Sequence, residues 1–199
     1  MRSWKQRLCS LLLCAAVLVS LCPTALAEDG SISYLDENGD EQLCKAFVDV
    51  SPTLPLWDDG VWYVAQGPLL FTVPITVKRN VHLILVDGCE LKATRGINVS
   101  EGNSLTIYAQ CEEEKTMGKL EVYGDHDNVI ASAGIGGYEG SGGTITINGG
   151  NVTATGRDGG AGIGGGLRGS GGDITINAGN VGGSGDVCAA GRGGGGGGR

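Results

Sequence analysis

The feature that most restricts this chain is an internal repeat. Ala133-Gly134-Ile135-Gly136-Gly137 returns as Ala161-Gly162-Ile163-Gly164-Gly165, a shift of 28 residues. Thr144-Ile145-Thr146-Ile147-Asn148 returns as Asp173-Ile174-Thr175-Ile176-Asn177, and Asn151-Val152 as Asn180-Val181, both shifted by 29. The extra residue falls where Tyr138-Glu139 gives way to Gly166-Leu167-Arg168. Two weaker copies lie upstream: Leu105-Thr106-Ile107 resembles Ile145-Thr146-Ile147, and His82-Leu83-Ile84-Leu85 precedes Leu105 by about 22 positions. A period of ~20–30 residues built from short strands specifies a solenoid whose units bury their apolar faces only against one another.

Within each copy, runs of three to five residues alternate apolar and polar and are separated by Gly or Asn. Ile145, Ile147, Val152 and Ala154 then face one way, and Thr144, Thr146, Thr153 and Thr155 the other. No segment after residue 68 carries a useful 3.6-residue apolar period. About three strands per repeat make one turn of an all-β coil, with successive coils about 4.8 Å apart. The expected fold is a parallel β-helix, right-handed by the rule for parallel crossovers. In it Ile145 stacks on Ile174, Ile147 on Ile176, and Asn148 on Asn177 as a side-chain ladder. If Leu83 likewise stacks on Leu105, Cys89 lies opposite Cys111 with Cα atoms about 5 Å apart, inside the ~4.4–6.8 Å range of disulfides. A bridge and an unbridged cysteine pair both fit that register.

Upstream of the repeats the chain has a different character. Arg2, Lys5 and Arg7 precede an apolar run from Cys9 to Cys22, and Ala25-Leu26-Ala27 forms a small-x-small cleavage site. Residues 1–27 therefore read as a secretory signal peptide. Residues 28–67 form a small N-terminal β hairpin or cap, with Asn38-Gly39 as a type I′ turn between Tyr34-Leu35 and Leu43-Cys44. The β-helix repeats occupy 68–187, and 188–199 are a Gly-rich tail without packing residues, which reads as a truncated end.

Composition narrows the function. Three of the 14 Lys and Arg fall in the leader, leaving 11 against 22 acidic residues, a formal charge of about −11. That excess argues against a nucleic-acid partner. No apolar run after Ala27 is long enough for a spanning helix. Cys44, Cys89, Cys111 and Cys188 match no zinc-binding spacing, and no metal or cofactor is expected. Asp125-His126-Asp127 is the densest polar group, a potential base or metal ligand, but reads more simply as a solvated loop between Tyr123 and Val129. No Gly-x-Ser-x-Gly occurs.

These residues resemble a recurrent type of secreted bacterial protein. The resemblance rests on Tyr34-Leu35-Asp36-Glu37-Asn38-Gly39, on Leu83 to Cys89, on Gly96 to Tyr108, and on the two Ala-Gly-Ile-Gly-Gly and Ile-Thr-Ile-Asn units. It covers most of residues 32–181 and points to cell-surface β-helix repeat proteins of Gram-positive anaerobes, carbohydrate-binding or adhesin-like in type. It carries no catalytic residues. The expectation is a secreted or surface-displayed, non-enzymatic protein making weak multivalent contacts with a glycan or host-surface polysaccharide. Thr144, Thr146, Thr153 and Thr155 are the candidate contacts, with Tyr138 as the aromatic beside them. The alternatives are a polysaccharide lyase or hydrolase using Asp125 or His126, and a purely structural spacer.

Overall fold

In the computed structural model, residues 30–125 and 131–185 are described. The proposed leader, the tail with Cys188, and His126 and Asp127 lie outside the described residues. The described residues open with an antiparallel hairpin, β1 (Ile32–Leu35) and β2 (Glu41–Cys44). Its connection is a five-residue loop rather than the expected two-residue type I′ turn, because Leu35 pairs with Glu41. Only Gly39 takes a positive φ, 82°. The Asp36 carboxylate organises the loop by accepting from the backbone N–H groups of Asn38 (2.9 Å) and Asp40 (3.0 Å) and from the Gln42 amide (3.0 Å). Those hydrogen bonds, Asn38 first, hold its pKa below the ordinary carboxylate value.

The coils follow. An opening turn carries β3 (Val48–Asp49) and β4 (Leu56–Trp57). Full coils run β5 (Trp62–Ala65), β6 (Pro68–Phe71), β7 (Ile75–Val77), then β8 (Asn80–Leu85), β9 (Glu90–Ala93), β10 (Ile97–Asn98). Next come β11 (Ser104–Ala109), β12 (Lys119–Tyr123), β13 (Ile135–Gly136), then β14 (Thr144–Ile147), β15 (Asn151–Thr155), β16 (Ile163–Gly164). The described residues end in β17 (Asp173–Ile176) and β18 (Asn180–Ser184). They build three parallel sheets: sheet 1 from β3, β5, β8, β11, β14 and β17; sheet 2 from β6, β9, β12, β15 and β18; sheet 3 from β4, β7, β10, β13 and β16. This is an all-β parallel β-helix. Its first coils already include residues 48–65, ahead of the expected boundary at 68.

The strong repeats stack as expected. Ile145 pairs with Ile174, Ile147 with Ile176, and the Asn177 amide donates to Asn148 Oδ1 at 2.8 Å. The corners explain the glycines. Gly136 and Gly164 are partners, with φ of 136° and 138°, and a Cβ on Gly136 would lie 1.9 Å from the Gly164 carbonyl oxygen. Only a residue without a side chain lets the coils close there.

The weak repeats stack differently. Thr106 pairs with His82, and Leu105 with Val81, so the offset is 24 residues rather than 22. Both offsets keep the apolar side chains inside, because alternation fixes register only in steps of two. The choice is made at the preceding turn, where the Asn103 side chain accepts from the Arg79 N–H (2.7 Å) and Ser104 donates to Asn80 Oδ1 (2.9 Å). The expected cysteine pairing fails for the same reason. Cys111 lies beside Asp87, its thiol 3.2 Å from Oδ1. Cys89 packs in the core next to Gly118, where a Cβ would come within 2.8 Å of its sulfur. Both are free thiols, and burial pushes that of Cys89 up to about 12.

The interior is one continuous apolar column from Trp57, Tyr63 and Phe71 to Val152 and Ala154. Trp57 stacks on Tyr63 at 5.2 Å and meets Phe71 edge-on at 6.5 Å. Among the described residues its buried Nε1 finds no acceptor, at a cost of about 1–3 kcal/mol. The hairpin does not close the column. It lies on the outer face of sheet 1, where Ile32 and Cys44 bury Val64, Ile84 and Tyr108.

Candidate binding groove on sheet 2

The outward residues of sheet 2 align in rows across the coils. One row is Pro68, Glu90, Lys119, Asn151 and Asn180. The next is Leu70, Lys92, Glu121, Thr153 and Gly182. A third contains Tyr123, Thr155 and Ser184. The first two rows, as far as Asn151 and Thr153, line a groove of about 560 Å³. Charges alternate across it: Lys119 Nζ lies 3.2 Å from Glu90 Oε1, and Lys92 Nζ 3.0 Å from Glu121 Oε2. The Tyr123 hydroxyl donates to the other Glu121 oxygen. Tyr123 and then Lys92 hold the Glu121 carboxyl below its ordinary value, and the same hydrogen bonds raise Lys92 and Tyr123. The floor therefore carries fixed charges, an exposed Leu70 and open hydroxyl and amide positions. Such a mixture suits a polyhydroxylated ligand, which needs many donors and acceptors and a little apolar contact.

The expected contact residues are divided by the geometry. All four threonines point outward, as their alternation requires. Thr144 and Thr146, however, stand on sheet 1, while Thr153 and Thr155 stand on sheet 2, so they form no common face. Thr146 continues a hydroxyl row from Thr106 to Thr175. Thr153 lines the groove and Thr155 lies beside it. Tyr138 sits at another corner, between β13 and β14, and its hydroxyl donates to Asp125 Oδ2.

Asp125 departs from the solvated loop expected of it. Its side chain is fully buried and takes a bidentate pair from Arg95, Nε to Oδ1 at 2.8 Å and Nη2 to Oδ2 at 3.0 Å. Arg95 follows β9 and Asp125 follows β12, so the pair staples two coils at the corner leading to sheet 3. A carboxylate so enclosed is poorly placed to take a proton from a glycan. Among the described residues, no three His, Cys, Asp or Glu side chains converge as metal ligands.

On sheet 1 the outward face carries a second group, built from residues scattered along the sequence. Trp62 stacks on His82 (4.2 Å, 9°) and on Tyr108 (5.1 Å), while Tyr34 of the hairpin packs 4.9 Å from both Trp62 and Tyr108. His82 Nδ1 lies 3.0 Å from the Tyr108 hydroxyl and Nε2 lies 3.2 Å from the Asn80 amide. Burial lowers the His82 pKa and pushes Tyr108 up to about 12. The ring faces are spent on one another, so this cluster holds the hairpin rather than offering a platform. Its signal was present in the outward phase: Val64, Ile84 and Val86 are apolar where a solvent-facing strand would be polar, a mark of a sheet covered on both faces.

The chain matches no protein-family model, no curated protein and no solved structure.

Proposed function

We propose that this chain is an exported, non-enzymatic β-helix, displayed on or released from the cell surface, that binds glycans along sheet 2. The observation that carries the reading is the 560 Å³ groove, whose Lys–Glu pairs, Asn151 and Thr153 come from successive coils. Each coil adds a similar shallow contact, so affinity for a polymer accumulates through avidity rather than through one deep pocket. The leader-like residues 1–27 support export. The buried Arg95–Asp125 pair speaks against the lyase alternative, since it occupies the carboxylate that such a reaction would use.

A glycan array probed with the full chain, after circular dichroism has shown a β-rich fold, tests this. Reproducible binding to one polysaccharide class, weakened by Thr153→Val and unaffected by Thr144→Val, is the expected result. Silence from a folded sample sinks the reading and leaves a structural spacer.

A further inference from the structure

The chemistry of the third row narrows the ligand, an inference that rests on the glycan-binding reading above. On the face of sheet 2 the cations are used in pairs: Lys119 with Glu90 and Lys92 with Glu121. Arg157, in the turn after β15, is exposed and, among the described residues, forms no ion pair. Its backbone is fixed on both sides, the N–H donating to the Ser132 carbonyl at 3.1 Å and the carbonyl accepting from Gly160 at 2.9 Å. Its guanidinium lies over the Tyr123 ring, 5.8 Å from the centroid, and Lys92 Nζ lies 5.2 Å from the same ring. Tyr123 is itself held by its hydrogen bond to Glu121.

The result is a guanidinium at the groove's edge, on a fixed backbone and over an aromatic ring, with Thr155 and Thr153 on the strand that leads into it. With Lys92 and Lys119 each paired to a glutamate, Arg157 is the cation left without an acidic partner among the described residues of this face, in a chain whose formal charge is −8. A guanidinium stacked on a ring leaves its N–H fork free for a planar, bidentate acceptor, which is the shape of a carboxylate. We propose that the groove takes a carboxylated polysaccharide, one built from uronic acids. A sugar carboxylate sits on Arg157, and the hydroxyls of that sugar and the next reach Thr155 and Thr153. The Lys92–Glu121 and Lys119–Glu90 pairs serve the hydroxyls of the following residues as donors and acceptors.

The test is isothermal titration of the full chain with oligogalacturonate and with the same oligomer methyl-esterified, which removes the charge and little else. The acid should bind roughly tenfold tighter than the ester, and its advantage should shrink as salt rises. Arg157→Gln should erase that preference while leaving ester binding in place. Arg168→Gln, at a different corner, should change neither. Equal affinity for acid and ester, or an Arg157→Gln protein that still prefers the acid, overturns the proposal and leaves the broader glycan reading standing. Dextran sulfate binding as tightly as the galacturonate also overturns it, since attraction to any polyanion would then suffice. Binding to neither oligomer overturns it too, and the glycan array then decides whether the broader reading falls as well.

Discussion

The first coils and the last are built from the same ladders but are held together differently. Around β4 to β12 the column is filled by Trp57, Phe71, Leu83, Leu91 and Leu105, all fully buried. The outer face of sheet 1 is covered there as well, by the hairpin, whose Gln110 tie runs from the Asp87 N–H (3.0 Å) to the Ser33 carbonyl (3.2 Å). β16, β17 and β18 are each the last described strand of their sheet; there the inward Ile163, Ile174 and Val181 are half-buried, Ile176 is exposed, and the corners are glycine. A solenoid's stability is approximately a sum over coils and their nearest-neighbour contacts. The early coils thus contribute side-chain burial on both faces of sheet 1, and the last described strands contribute mostly backbone pairing that exists only while the neighbour is in place.

That contrast can be broken, most sharply by cutting into each region with the same kind of substitution. Phe71→Ala should cost about 3–5 kcal/mol, and Ile174→Ala no more than about 1 kcal/mol, by urea unfolding. Similar losses at both positions would erase the distinction. Gly136→Ala forces a methyl into the Gly164 carbonyl of the next coil and should cost about 2–3 kcal/mol. Hydrogen exchange should show that loss in the amides of β14 to β18 and spare those of β5 to β9. Protection lost equally throughout would mean that the solenoid opens as one unit.

The smallest expected effect concerns the covered face. Burial holds His82 below its ordinary pKa of 6.5, so the folded clasp binds a proton less readily than the unfolded chain. Its contribution is complete above 6.5 and is lost as the pH falls from there through the lower folded value. Protection factors of the β1 amides, corrected for the intrinsic pH dependence of exchange, should therefore fall on acidification across that window, and His82→Gln should flatten the dependence. An opening rate for β1 that ignores pH in the native protein would remove His82 from the clasp.

How much of this was readable in the sequence depended on what each residue had to specify. Ile145 and Ile147 find their partners in sequence because a near-identical copy lies 29 residues on. His82 and Leu105 belong to diverged copies, where alternation is satisfied by an offset of 22 or 24, and the deciding contacts are those of the Asn103 and Ser104 side chains. The expected stacking of Cys89 on Cys111 inherited that two-residue slip. In the groove, Thr153 was visible because it sits in a clean alternating strand. Lys92, Glu121 and Arg157 were not, since their alignment across sheet 2 exists only once coil lengths are known. Those lengths vary: the sheet 1 partners Trp62, His82, Thr106, Thr146 and Thr175 are separated by 20, 24, 40 and 29 residues. Asp125 looked like loop polarity because its partner Arg95 lies 30 residues away.

The 40-residue coil owes part of its length to the segment between β11 and β12, which carries Glu112, Glu113 and Glu114. Glu114 accepts a 3.1 Å hydrogen bond from the Asn180 amide on β18, two coils further on. Pulled along its axis, a stack of coils joined only to neighbours would shed them one at a time from the weaker end. Here the outermost described strand is also tethered past its neighbour. Pulling β18 away from β15 therefore also breaks a contact to the coil beyond, and the force for that step exceeds what the ladder between the two strands sets by itself.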